Sequence, residues 1–82
     1  MNHSITYGLL HKLLRELQFE DVPTQPKWRA FRHPDTGMVV LLTARDENLP
    51  ARTPDVLSIR RHLDSHGILD AQQFEQYFAD VA

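Results

Sequence analysis

The sequence contains no cysteine, only three glycines and a single tryptophan. Without cysteine, the chain cannot form a disulfide, a thiolate nucleophile or a cysteine-ligated zinc site, so packing alone must hold its core together. The longest uninterrupted apolar run, Met38 to Leu42, has five residues. A membrane span needs about 20 residues and the core of a signal peptide about 7 to 15. We therefore expect a cytoplasmic protein with no membrane association.

Length and charge set the next limits. Eighty-two residues, of which 41% are hydrophobic and 24% charged, suffice for one small domain, which we place at residues 1–82. The net charge of −2 is not evenly distributed along the chain. Residues 27–61 hold seven cationic and four acidic side chains, whereas residues 62–82 hold four acidic side chains and no lysine or arginine. The pI near 6.2 lacks the strongly basic balance of most nucleic-acid-binding domains.

Apolar residues at the helical period predict a first helix over residues 4–17, capped by Ser4 or Thr6. Its apolar stripe consists of Ile5, Leu9, Leu13 and Leu17. The helix should end near Gln18, because Val22 precedes a proline and is pushed out of helical geometry.

Three strands are predicted next, at Phe19–Val22, Lys27–His33 and Met38–Thr43, and the third looks the most buried. The turn residues between the second and third strands favour a hairpin. Within the second strand, alternation places Trp28, Ala30 and Arg32 on one side and Arg29, Phe31 and His33 on the other. A polar loop over residues 44–52 follows.

Two further helices complete the pattern. Thr53 is expected to cap a helix over residues 54–66, which Gly67 ends in the left-handed conformation. Asp70 and Gln73 are spaced as a capping box that opens the last helix. The resulting order is α-β-β-β-α-α, an α+β fold.

Four stretches of the chain carry a family resemblance: "LLRELQFE", "FRHPDTG", "TPDVLSIRRHLDSHGI" and "AQQFEQYF". With them, residues 5–78 resemble the HicA family of bacterial toxin–antitoxin ribonucleases. The resemblance implies a fold like the double-stranded-RNA-binding domain, with a three-stranded antiparallel sheet and helices on one face. It also implies a small mRNA-cleaving toxin whose active site is covered by a HicB antitoxin.

The chain departs from the family at the catalytic motif. The family's catalytic histidine lies in a Gly-Ser-His stretch that matches Pro26, Lys27 and Trp28 here. A shift by one residue would bring Arg29 to that position, and arginine does not transfer protons near neutral pH. His33 remains as a weak catalytic candidate beside its more ordinary interpretation, the shaping of the hairpin. Gln18 also replaces the glycine that usually follows the first helix.

The other histidines suggest no chemistry of their own. His62 and His66 are spaced i, i+4 at a helix end, where the helix dipole favours cations, and no carboxylate at helical spacing completes a metal site. His3 and His11 are expected to be solvated. No Gly-rich phosphate loop or other enzyme motif is present, so we expect no metal and no cofactor.

These observations favour a non-catalytic HicA-like protein that binds RNA or a protein partner, such as a HicB-like antitoxin, through its sheet face. One alternative is an active ribonuclease that uses another residue such as His33. A second is a protein-interaction module, such as a homodimer, with no nucleic-acid role. The predicted contact residues are Lys27, Trp28, Arg29, Arg32, Arg45 and Arg52.

Overall fold

The computed structural model describes the backbone of residues 5–81 and the side chains of residues 5–79. The elements are α1 (Tyr7–Glu16), β1 (Glu20–Val22), β2 (Trp28–Arg32), β3 (Val39–Thr43), α2 (Thr53–Ser65) and α3 (Ala71–Val81). The strands form one antiparallel sheet in the order β1-β2-β3, so the predicted α+β class and element order are confirmed. No helix in this part of the chain is long and apolar enough to cross a membrane.

Helix α1 begins at its predicted cap, because the Thr6 side chain accepts a hydrogen bond from the Leu9 amide. Ser4, the other predicted cap, lies outside the described residues. At the far end Gln18 has a φ of 75°. The Phe19 amide donates to the Leu14 carbonyl at 2.9 Å and the Gln18 amide to the Arg15 carbonyl at 3.0 Å. This is a Schellman ending with glutamine where glycine is usual.

The core lies on one side of the sheet. All three helices contribute to a buried cluster that also contains the inward side chains Phe31, Val40 and Leu42. Strand β2 therefore has the predicted alternation, with Phe31 fully buried and Trp28 43% exposed. Ala30, which points away from the helices, is also buried because its small side chain lies between Val22 and Leu41 in the register.

Strand β3 is not the most buried strand that the sequence predicts, because β2 and β3 each have two buried, one half-buried and two exposed residues. Val39 is 48% exposed and Leu41 51% exposed, whereas their neighbours Val40 and Leu42 are buried. A continuous apolar run does not reveal that only one face is covered, since a strand buried on both sides has the same composition.

The end of α2 and the start of α3 are as predicted, whereas α2 begins differently. Gly67 has a φ of 67° after α2, and Asp70 and Gln73 exchange two capping hydrogen bonds, of 2.8 and 3.1 Å, before α3. Thr53, however, is the first residue of α2 and not its cap. The cap position belongs to Arg52, which makes no side-chain capping bond. Its amide donates to the Tyr7 hydroxyl at 3.2 Å, so the incoming loop is anchored to α1 at this residue.

We expect Gln18→Gly to stabilise the fold by about 1 kcal/mol, because glycine adopts positive φ without the steric cost that a Cβ imposes. Lys12→Gly, at an exposed position inside α1, is the control and should destabilise by about 1 kcal/mol. Urea denaturation of the variants measures both changes. A Gln18→Gly variant less stable than the parent would contradict this ending of α1.

Candidate functional site

The surface of the sheet that faces away from the helices is the main candidate site, and we call it the outer face. It consists of Glu20, Val22, Trp28, Ala30, Arg32, Val39, Leu41 and Thr43. Trp28 lies opposite Thr43 in the register, and Ala30 lies opposite Leu41. The outer face is therefore largely apolar and open: Leu41 in its middle, Trp28 at one end and Val39 at the other are each about half exposed.

Charges lie at the two ends of the outer face. At one end, the Arg32 guanidinium is 3.8 Å from the Glu20 carboxylate on the neighbouring strand. At the other end, the Ala44 amide donates to the Lys27 carbonyl at 3.0 Å, which brings Arg45 near Lys27 and Trp28. Neither Lys27 nor Arg45 forms an ion pair with any residue the structure describes. Two cationic residues without such an ion pair thus border the tryptophan end of the sheet.

Arg29 lies on the other side of the sheet. Its guanidinium is 2.8 Å from the Asp21 carboxylate and 5.4 Å from the centre of the Phe31 ring. Partial burial would raise the pKa of Asp21, but hydrogen bonds and charge from Arg29 and Arg15 outweigh it and hold that pKa below its usual value. Arg29 is therefore already paired, away from the outer face.

The structure brings together only part of the predicted contact set. Lys27, Trp28 and Arg45 lie at one end of the sheet, and Arg32 is four residues along β2 from Trp28 at the other. Arg52 is separate from them, because it precedes α2 at the junction with α1.

His33, the weak catalytic candidate, lies at the base of the hairpin. Its ring is largely buried, its Nδ1 accepts a 3.4 Å hydrogen bond from the Thr36 amide, and its edge packs on Phe19. The His33 backbone also bonds to Met38 and Gly37, each at 2.8 Å. These contacts support the hairpin-shaping interpretation, whereas a catalytic role stays a prediction.

The expectation that His11 is solvated is wrong. Its side chain is 0% exposed, its Nδ1 is 3.2 Å from the Glu47 carboxylate, and its ring lies 5.3 Å from that of Phe31. Its Nε2 has no hydrogen-bond partner among the described residues. Because it is fully covered, this imidazole cannot reach a substrate as a general base must. His3 lies outside the described residues.

The burial of His11 results from the loop after β3, which folds back over the start of α1. The Gly8 amide donates to the Glu47 carbonyl at 3.0 Å, and the Tyr7 amide donates to the Leu49 carbonyl at 3.1 Å. A Cβ on Gly8 would lie 3.1 Å from that same Glu47 oxygen, so the close approach of the loop requires a small residue there. The helical pattern of the sequence shows only which residues share a side of α1, so it did not predict that a distant loop covers His11.

A second buried polar contact joins the starts of α1 and α2. The Tyr7 hydroxyl donates to the Asp55 carboxylate at 2.6 Å, and Tyr7 itself is 0% exposed. No local pattern in the sequence connects these two residues, which are 48 positions apart. This contact is structural in character, since the hydroxyl is enclosed by the protein.

No metal centre is formed by the residues the structure describes, since none of their His, Asp and Glu side chains form a group of three able to hold an ion. His62 and His66 each donate from Nδ1 to the carbonyl four residues earlier, at 2.7 and 2.9 Å. Both histidines therefore use Nδ1 for a hydrogen bond within their own helix.

Comparisons with models of protein families, with curated proteins and with solved structures give no match for this chain. The likeness to the HicA family and to the double-stranded-RNA-binding fold therefore stays a prediction from the sequence.

The buried His11 predicts a pH dependence of stability. Burial lowers the pKa of His11 from 6.5 despite the bond to Glu47, which raises it, so folding favours the neutral ring. Stability should be complete above about pH 6.5 and fall as the pH drops through the lowered folded-state pKa. Urea denaturation between pH 7.5 and 5 measures this loss. His11→Gln should reduce this dependence of the free energy of unfolding on pH, whereas the exposed control His66→Gln should not. An unchanged pH dependence in His11→Gln would contradict burial of a neutral His11.

Proposed function

We propose that this chain is a non-catalytic HicA-like binding protein whose outer face docks a partner protein. The observation that carries the proposal is the open apolar set formed along the outer face by Trp28, Leu41 and Val39, each about half exposed. Exposed apolar side chains occur singly on most monomers, but a contiguous set on one sheet face is typical of an interaction surface.

The chemistry of the outer face favours protein over RNA. Stacking platforms for bases use aromatic rings and arginine, whereas here Trp28 is surrounded by aliphatic side chains and Thr43. Arg32 is close to Glu20, and Arg29 is bound to Asp21 on the other side of the sheet. Of the cations predicted on this sheet, only Lys27 and Arg45 therefore remain unpaired for phosphates in the described part of the chain, while an open apolar face with a tryptophan suits a protein interface.

Charge defines the kind of partner. Lys27 and Arg45 are unpaired among the described residues and lie beside Trp28, so the complementary surface is apolar with carboxylates at the border that meets this end. An acidic-bordered antitoxin of the HicB type would have this chemistry. The proposal does not require an RNA-cleaving activity, and Trp28 cannot supply the proton transfer that the family's histidine performs.

Site-specific photo-crosslinking identifies the partner directly. A benzophenone amino acid is incorporated at position 41 in place of Leu41, in the cells that express the protein. The control has the same benzophenone amino acid in place of Gln72 on α3. A protein adduct specific to position 41, identified by mass spectrometry, is then purified and tested for binding. Equal adducts at both positions, or none, would contradict docking on the outer face.

With the purified partner, Trp28→Ala should weaken binding by about 2 kcal/mol, some 30-fold in Kd, because a tryptophan anchor at the centre of an interface dominates its energy. Leu57→Ala removes a similarly exposed apolar side chain from α2 and should leave the Kd unchanged. Isothermal titration measures both. A labelled single-stranded RNA whose salt-dependent binding is lost in Trp28→Ala would instead favour the RNA alternative.

A further inference from the structure

The free edge of β3 carries an inference separate from the outer face. Strand β2 lies between β1 and β3, and no other strand in the described part of the chain pairs with the far side of β3. The His33 amide donates to the Met38 carbonyl at 2.8 Å, and the Ala44 amide donates to the Lys27 carbonyl at 3.0 Å. Hydrogen-bonded pairs alternate in an antiparallel ladder, so the even-numbered residues of β3 bond to β2.

The odd-numbered residues of β3 therefore direct their amides and carbonyls away from the sheet. These are Val39, Leu41 and Thr43, and the first two also have half-exposed apolar side chains on the outer face. An open row of donors and acceptors beside apolar side chains is a template for another strand. The strand contains none of the usual protections, since Val39–Thr43 has no charge, proline or glycine.

The spacing of these groups suits a strand with the same sequence. Two copies of β3 can run antiparallel about a two-fold axis at Leu41, with Leu41 opposite its own copy and Val39 opposite Thr43. All three odd positions then fall into hydrogen-bonded pairs, and each such pair exchanges two main-chain bonds, which gives about six in all. The outer faces of the two copies become one continuous surface.

Charge at the ends of β3 matches the same arrangement. In this register Arg45 of one copy lies opposite Gly37 of the other, two residues from Asp35 in the hairpin turn. Neither Arg45 nor Asp35 forms an ion pair within residues 5–79. The two-fold axis places Arg45 of each copy on the side of Asp35 of the other. Opposite charges therefore attract at both ends of the paired strands, whose central residues are uncharged.

We propose that a second copy of this chain pairs with β3 in this register, forming a six-stranded sheet. A five-residue edge is smaller than a standard interface of about 800 Å² per partner, so the dimer should be weak and populate only at high protein concentration. The pairing uses the main chain at the sheet edge and does not depend on the function proposed for the outer face.

The absence of cysteine makes a disulfide test specific to this register. In Leu41→Cys, the two sulfurs of a dimer lie opposite each other, in a hydrogen-bonded pair whose Cα atoms are about 5.5 Å apart, within disulfide range. In Val39→Cys the equivalent residues are offset by about 13 Å along the strands, too far to bridge. Mild oxidation should therefore give a covalent dimer for Leu41→Cys and little for Val39→Cys. When the Val39→Cys and Thr43→Cys proteins are mixed, oxidation should link one copy of each.

Sedimentation equilibrium and amide exchange complete the test on the unaltered chain. The mass should rise from 9.5 kDa toward twice that value at millimolar concentration, and the Val39, Leu41 and Thr43 amides should become protected together. Trp28→Ala should leave this behaviour unchanged. A monomer at all concentrations, or a dimer bridged through Val39→Cys alone, would overturn the proposal; a foreign strand that protects the same amides in a monomeric chain would assign the edge to that other protein.

Discussion

The inward side chain of Phe31 fixes the rest of this structure. Phe31 is on the central strand and is fully buried, and its ring centre lies 5.3 Å from that of His11 on α1 and 5.4 Å from the Arg29 guanidinium. Because side chains alternate along a strand, its burial turns Trp28 and Arg32 to the opposite side. The cross-strand register transmits the same division to β3, where Val40 pairs with Phe31 and is covered while Leu41 pairs with Ala30 and is not.

Local signals in the sequence predicted the elements well. The Thr6 cap, the Gly67 ending and the exchange between Asp70 and Gln73 all depend on residues within one turn of each other, and the structure confirms each. The alternation in β2 was equally local. Two interpretations failed at long range: His11 is covered by a loop that contributes Glu47 from 36 residues away, and β3 is covered on only one side.

The candidate site shows the same limit. Trp28 was identified as an outward residue from alternation alone, and the structure places it there. The sequence alone does not show which arginines near Trp28 are unpaired, because their partners lie on a neighbouring strand. Asp21 pairs with Arg29 and Glu20 with Arg32. The described helices pack on the Phe31 side, which leaves the outer face and the β3 edge as adjoining surfaces with different chemistry, apolar side chains on one and main-chain groups on the other.

The single tryptophan shows whether the outer face is open in the monomer. Acrylamide quenching of Trp28 fluorescence reports the accessibility of this face and of no other. The measurement is made at low micromolar concentration, where the chain is monomeric. Because Trp28 is 43% exposed, we expect efficient quenching and only a slight red shift of the emission maximum on unfolding. Quenching that is weak until urea unfolds the chain would show Trp28 enclosed, and would contradict the account.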